Sequence, residues 1–115
     1  MKHSLPLFMS IAGMTFATPA LAADGAALFS TKACVACHHV ENDQSAMGLG
    51  PSVKMIGTAY DGKKEQLVKF LSADPSAKPI VKPELYPVMQ GQQQITKAMS
   101  DDEKSAVADY ILSKK

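Results

Sequence analysis

The chain has 115 residues, 46% of them hydrophobic and 20% charged, and its twelve lysines, unaccompanied by arginine, meet eleven acidic residues for a formal charge of +1. A balance this close to zero argues against nucleic acid or anionic lipid as partners, because both select for clustered positive charge. The length suits one small domain, whose modest core normally needs reinforcement.

The chain opens with a basic end at Lys2 and His3, followed by an apolar stretch from Leu5 to Ala17 and by Pro19-Ala20-Leu21-Ala22, a small-residue site of the A-x-A kind. This order of regions predicts a signal peptide over residues 1–22, removed after Ala22. An uncleaved anchor is the alternative, but the apolar run falls short of the roughly 20 residues a span needs, and Pro6 and Gly13 weaken it further. Export from a bacterium places residues 23–115 in the periplasm, with no permanent membrane anchor. Loss of Lys2 leaves the remaining lysines and acids equal in number.

Asp24 is placed to cap a first helix through Ala26, Ala27, Leu28 and Phe29. That helix leads into Cys34-Val35-Ala36-Cys37-His38, which holds both cysteines of the chain. A C-x-x-C-H run lets two thiols add across the vinyl groups of one haem while the adjoining imidazole meets the iron. Residues three apart on a helical turn share a face, so both sulfurs reach one porphyrin edge. Three other readings compete. A thioredoxin-type dithiol should follow a strand in a βαβ pattern, which is absent. A zinc site needs four ligands, and beyond the cysteines only the sequence neighbours His38 and His39 are at hand. A disulfide across so small a loop adds little rigidity.

From about Lys63 to Ala73, Leu67, Val68, Phe70 and Leu71 form one apolar face, with a start at Asp61 or Gly62 and a stop at Asp74-Pro75. Pro75, Pro79, Pro83 and Pro87 then recur every four residues, a spacing that predicts a stiff, non-helical stretch. Ile80, Val81, Leu85, Tyr86 and Val88 make it too apolar for a solvated tether, so it is expected to fold as a wall across one haem face. The wall ends in Tyr86-Pro87-Val88-Met89, and Met89 is the candidate sixth iron ligand, a soft neutral thioether that favours ferrous iron. Methionine is more often core filler than ligand. Met1, Met9 and Met14 leave with the leader, Met47 and Met55 follow the haem motif, and Met99 before Ser100 is the second candidate or a helix staple. His39 cannot reach the far face of the same iron and His3 is removed, so paired histidine ligation is excluded. Ser100 and Glu103 form a capping-box pattern for a last helix, with Ala106, Val107, Tyr110 and Ile111 as its buried stripe up to Leu112. No strand alternation competes, and the class expected is all-α.

These residues resemble the class I monohaem cytochromes c, especially the small bacterial periplasmic members, over essentially the whole of residues 24–115. Cys34-Val35-Ala36-Cys37-His38 carries most of the resemblance and Gly50-Pro51 the next part. The resemblance implies three to five short helices around one covalently bound haem c, attached at Cys34 and Cys37 and ligated by His38 and Met89. It implies that the Pro51 carbonyl accepts a hydrogen bond from the second ring nitrogen of His38, fixing the ring and enriching it in electrons. It also implies a crossing of first and last helices, Gly25 and Phe29 against Val107 and Tyr110. The sequence departs from the family pattern in following Met89 with Gln90-Gly91 in place of proline. The implied function is one-electron transfer with both axial sites filled, and no enzymatic chemistry. The expected molecule is a monomeric carrier between a quinol-oxidising complex and an oxidase, reductase or peroxidase, docking through a ring that includes Lys54, Lys78, Lys82 and Lys97. The alternative is the haem subunit of a redox enzyme with an open or exchangeable sixth position.

Overall fold

A computed structural model of the chain describes residues 23–41 and 50–115. The expected leader over 1–22 and the methionine at 47 lie outside them. Five α-helices occur in the described residues, α1 (Gly25–Thr31), α2 (Val53–Ala59), α3 (Lys64–Leu71), α4 (Tyr86–Lys97) and α5 (Asp101–Leu112), with 3-10 turns at Cys34–Ala36 and Pro83–Leu85. No strand occurs among the described residues, so the all-α expectation is met.

Each helix starts for a local reason. The Asp24 side chain accepts from the Ala27 amide at 3.2 Å, the cap expected for α1. Ser100 and Glu103 close a full capping box on α5, with Ser100 N donating to Glu103 Oε1 at 2.9 Å and Glu103 N to Ser100 Oγ at 3.2 Å. Such a cap is worth about 1 kcal/mol. The third helix differs slightly from its expected span. Its N-cap is Lys63, without a side-chain cap bond, because Gly62 turns the chain beforehand with φ +73°. It ends at Leu71, and Ala73, at φ 58°, reverses the chain before Asp74-Pro75 is reached.

Two helices were not legible as such. In α2 the Ser52 Oγ caps the Met55 amide at 3.1 Å, but Gly57 sits inside a helix of only seven residues and dilutes the signal. The structure explains the glycine: a Cβ there would lie 2.5 Å from the Ile111 carbonyl oxygen. The irregular wall expected up to Met89 instead ends at Leu85, and Tyr86 opens α4. Pro87 does not prevent this, since it stands in the first turn, where its missing N–H has no intrahelical partner anyway.

The core is built on α5. Helices α1, α2 and α3 all pack against it, and Phe29, Val53, Leu67, Leu71, Met99, Val107, Ala108 and Ile111 form one buried cluster. Gly25 is the contact point of α1 with α5, where any Cβ would collide with the Ala106 carbonyl and with Cβ of Tyr110. The Phe29 and Tyr110 rings stack tilted at 5.5 Å beside it. The crossing implied by the family resemblance is therefore present. Helix α4 packs chiefly on α3 and on the turn that precedes it.

Candidate haem site

Directly after α1, Ala33 enters the left-handed region at φ 62° and starts the 3-10 turn that carries the first cysteine. The amides of Cys37 and His38 both donate to the Cys34 carbonyl, at 3.2 and 3.0 Å. The tight turn brings the half-buried Cys34 and Cys37 and His38 onto one apolar cleft. No group of three or more His, Cys, Asp or Glu side chains among the described residues is arranged to hold a metal ion, so the zinc reading gains no support.

His38 is gripped from one side. Its Nδ1 lies 2.8 Å from the Pro51 carbonyl oxygen. A carbonyl can only accept, so Nδ1 carries the proton and the Nε2 lone pair is left for another partner. Burial pushes the imidazole pKa down, against the smaller upward pull of the Pro51 carbonyl. The ring is thus held neutral, the form that binds metals. The Cys34 thiol is pushed up by burial, with a partly offsetting backbone hydrogen bond.

Two further residues stand behind this geometry, and sequence reasoning named only Gly50, as the neighbour of Pro51. Ser52 is fully buried and caps α2, while the Val53 amide donates to the His39 carbonyl at 2.9 Å. Together they lock the segment carrying Pro51 beside the histidine. Gly50 is the other. A Cβ there would stand 2.9 Å from the Cys37 carbonyl oxygen and from His38 Cε1. Its pairing with Pro51 was visible in the sequence, but its role as the space for the imidazole was not.

The remaining walls come from the whole fold. Leu67, Phe70 and Leu71 of α3 and Val107 and Ile111 of α5 line the cleft, and Tyr60, 4% exposed, adds its ring at the end of α2. Burial raises the pKa of the Tyr60 phenol, against a smaller lowering pull from the Ile80 backbone. Pro79, Val81 and Lys82 of the proline-rich segment also line the cleft. The cleft is thus walled by α2, α3, α5 and the proline-rich segment. Its lining is overwhelmingly apolar, with two thiols, one neutral imidazole and one thioether among it. That donor set and shape fit a haem.

The thioether belongs to Met89, which lines the same cleft as Cys34, Cys37 and His38 from the first turn of α4. Met99 lies elsewhere, 5% exposed within the core cluster, and Met55 lines a separate shallow groove. Lys54 and Lys82 flank that groove, Lys78 Nζ sits 5.5 Å above the Tyr86 ring, and Lys97 is exposed at the end of α4.

Five helices around an apolar cleft that displays C-x-x-C-H define a haem protein of the small all-α type. Comparison with known proteins narrows this to one family. The family model described as cytochrome c matches residues 22–115. The chain is 37% identical over 114 residues to cytochrome c-553 of Nitratidesulfovibrio vulgaris (strain DSM 19637 / Miyazaki F), covering 96% of this chain and 97% of that protein. It is 37% identical over 62 residues to cytochrome c-551 of Stutzerimonas stutzeri, covering 54% of this chain and 56% of that one. The chain belongs to the cytochrome c family, as a small monohaem class I member. Its cofactor is accordingly covalent haem c, and its broad role that of a haem electron carrier.

Proposed function

We propose that this protein is a diffusible periplasmic carrier of single electrons, with haem attached through Cys34 and Cys37 and axial ligation by His38 and Met89. The observation that carries the reading is the convergence of both cysteines, His38 and Met89 on one apolar cleft. What the haem supplies when bound is an iron that gains and loses one electron. The chain's own residues do the rest. The Pro51 carbonyl holds the Nδ1 proton of His38 and so orients the ring with its other nitrogen available. The apolar walls from α3 and α5 exclude water, which keeps solvent reorganisation small. Met89 contributes a soft donor that favours the reduced state.

No helix among the described residues is long and apolar enough to cross a membrane. The leader-like order of residues 1–22, a basic end, an apolar run and an A-x-A site, supports release into the periplasm. The docking face is proposed around Lys82, which lines the cleft, with Lys78 over the cleft-lining Tyr86 ring and Lys54 across the neighbouring groove, and Lys97 at the end of α4 as a further member. With near-zero net charge, such a local patch rather than the whole-molecule field would steer a redox partner with a complementary acidic surface. A weak, short-lived complex with a quinol-oxidising donor or an oxidase, reductase or peroxidase acceptor suits that design.

The optical spectrum of the haem-loaded protein tests the ligation. Met89→Ala is expected to abolish the weak long-wavelength band of ferric iron–thioether bonding and to let carbon monoxide bind the reduced form. Met99→Ala is expected to leave both unchanged. The opposite pattern would move the ligand to Met99. High-spin iron with rapid carbon monoxide uptake in the unmodified protein would favour a redox enzyme's haem subunit instead.

A further inference from the structure

Helix α4 presents a buried face that is not apolar. Gln93 is 5% exposed and Thr96 3% exposed, and they are the buried residues of this helix. The Gln93 side chain has a defined partner: its Nε2 donates to the Phe70 carbonyl oxygen at 2.8 Å, across 23 residues of sequence. Phe70 stands at the end of α3, and its ring also meets Tyr86 of α4 at 6.2 Å. One residue of α3 therefore holds α4 at two points. Tyr86, Met89 and Gln93 are spaced three and four apart, so they share one helix face with the methionine between the two anchors. The ring contact at Tyr86 tolerates rotation and sliding. The amide does not, since turning α4 away would strip a buried polar group of its partner, a cost well above the net worth of the bond itself.

We infer that Gln93 is a positioning residue for the sixth iron ligand: its hydrogen bond to Phe70 sets the rotation of α4 at which Met89 faces the haem cleft. The inference rests on Met89 being that ligand. It adds a reason for a polar buried residue where leucine would pack as well, and it makes α3 the reference against which the thioether is held. Because α4 packs chiefly on α3 and on the turn that precedes it among the helical elements described, few other contacts can replace this bond.

The test uses the haem-loaded ferric protein and added imidazole, which competes with the thioether for iron. Gln93→Leu keeps the volume and removes the donor. It is expected to retain covalent haem, weaken the thioether band, and bind imidazole about tenfold more tightly, the loss of roughly one buried hydrogen bond. Gln93→Glu supplies a signature that lost packing cannot imitate. A protonated carboxyl can donate to the Phe70 carbonyl, whereas the carboxylate cannot. Imidazole affinity, corrected for imidazole's own protonation, should match the parent at acid pH and rise as Glu ionises, with no such step in the parent or in Gln93→Leu. Gly57→Ala, which disturbs the α2–α5 contact, serves as a destabilised control expected to keep parental imidazole affinity. The inference is overturned if Gln93→Leu binds imidazole as the parent does, or if Gly57→Ala gains as much. It is equally overturned if Gln93→Glu shows no added pH step, and that series decides alone should Gln93→Leu not accumulate. Failure of the ligation reading is seen separately, as a thioether band that survives Met89→Ala.

Discussion

At the scale of single residues, the site depends on what is missing as much as on what is present. Gly50 leaves the space in which the His38 ring lies, since an added Cβ would press on both the ring and the Cys37 carbonyl. Backbone lies on one side of that contact, so relaxation is limited. Gly50→Ala is expected to cost about 1–3 kcal/mol of stability, as overpacking in a tight core does, and to shift the reduction potential by tilting the imidazole from the Pro51 carbonyl. Denaturant unfolding and potentiometry of the haem-loaded protein check both. Pro51 meets the His38 ring through its main-chain oxygen, and the buried Ser52 cap beside it fixes that backbone.

At the scale of elements, α5 carries the core and starts with the strongest cap in the described chain. The Glu103 carboxyl is held below its ordinary value of 4.5 by hydrogen bonds from the Ser100 backbone and side chain. The folded pKa lies below the unfolded one, so the stabilisation is complete above about pH 4.5 and fades as pH falls through the folded value. Stability measured over that acid range should fall less steeply in Glu103→Gln than in the parent. At neutral pH Ser100→Ala should cost about 1 kcal/mol by leaving a first-turn amide uncapped. Unfolding curves at several pH values read out both effects. The wall segment and α4 follow another logic. The buried face of α4 is polar, tied to α3 by the Gln93–Phe70 hydrogen bond, and the wall segment turns its apolar side chains to the cleft.

At the scale of the whole molecule, the fold divides into a helical frame and a closing side. Helices α1, α2 and α3 brace against α5, whereas α4 leans on α3 and its own preceding turn. A haem between them would supply the apolar surface that a chain of this size lacks. Local opening should therefore be least costly in α4. Amide hydrogen exchange is expected to be faster in residues 86–97 than in residues 101–112, and replacing Met89 by alanine should widen the difference. Equal protection of the two helices in that variant would contradict this division.

Sequence by itself determined the chemistry here. The C-x-x-C-H run, the Asp24 cap and the Ser100–Glu103 box act within one turn of chain, so their meaning does not depend on distant residues. Helix class and the buried stripe of α5 were readable for the same reason, through period and capping. Only tertiary structure decided the rest. Gly57 weakens α2 locally and is needed because α5 passes too close for a side chain. Gln93 and Thr96 have the chemistry of surface residues, yet both are buried, Gln93 bonded to α3 through the Phe70 carbonyl and Thr96 lining the cleft, so α4 carries no apolar stripe that sequence reasoning could find. Sequence position ranks Met89 ahead of Met99, and the fold adds that Met89 lines the cleft while Met99 fills the core. Such distinctions arise from packing between segments far apart in the chain, where local propensity carries no information.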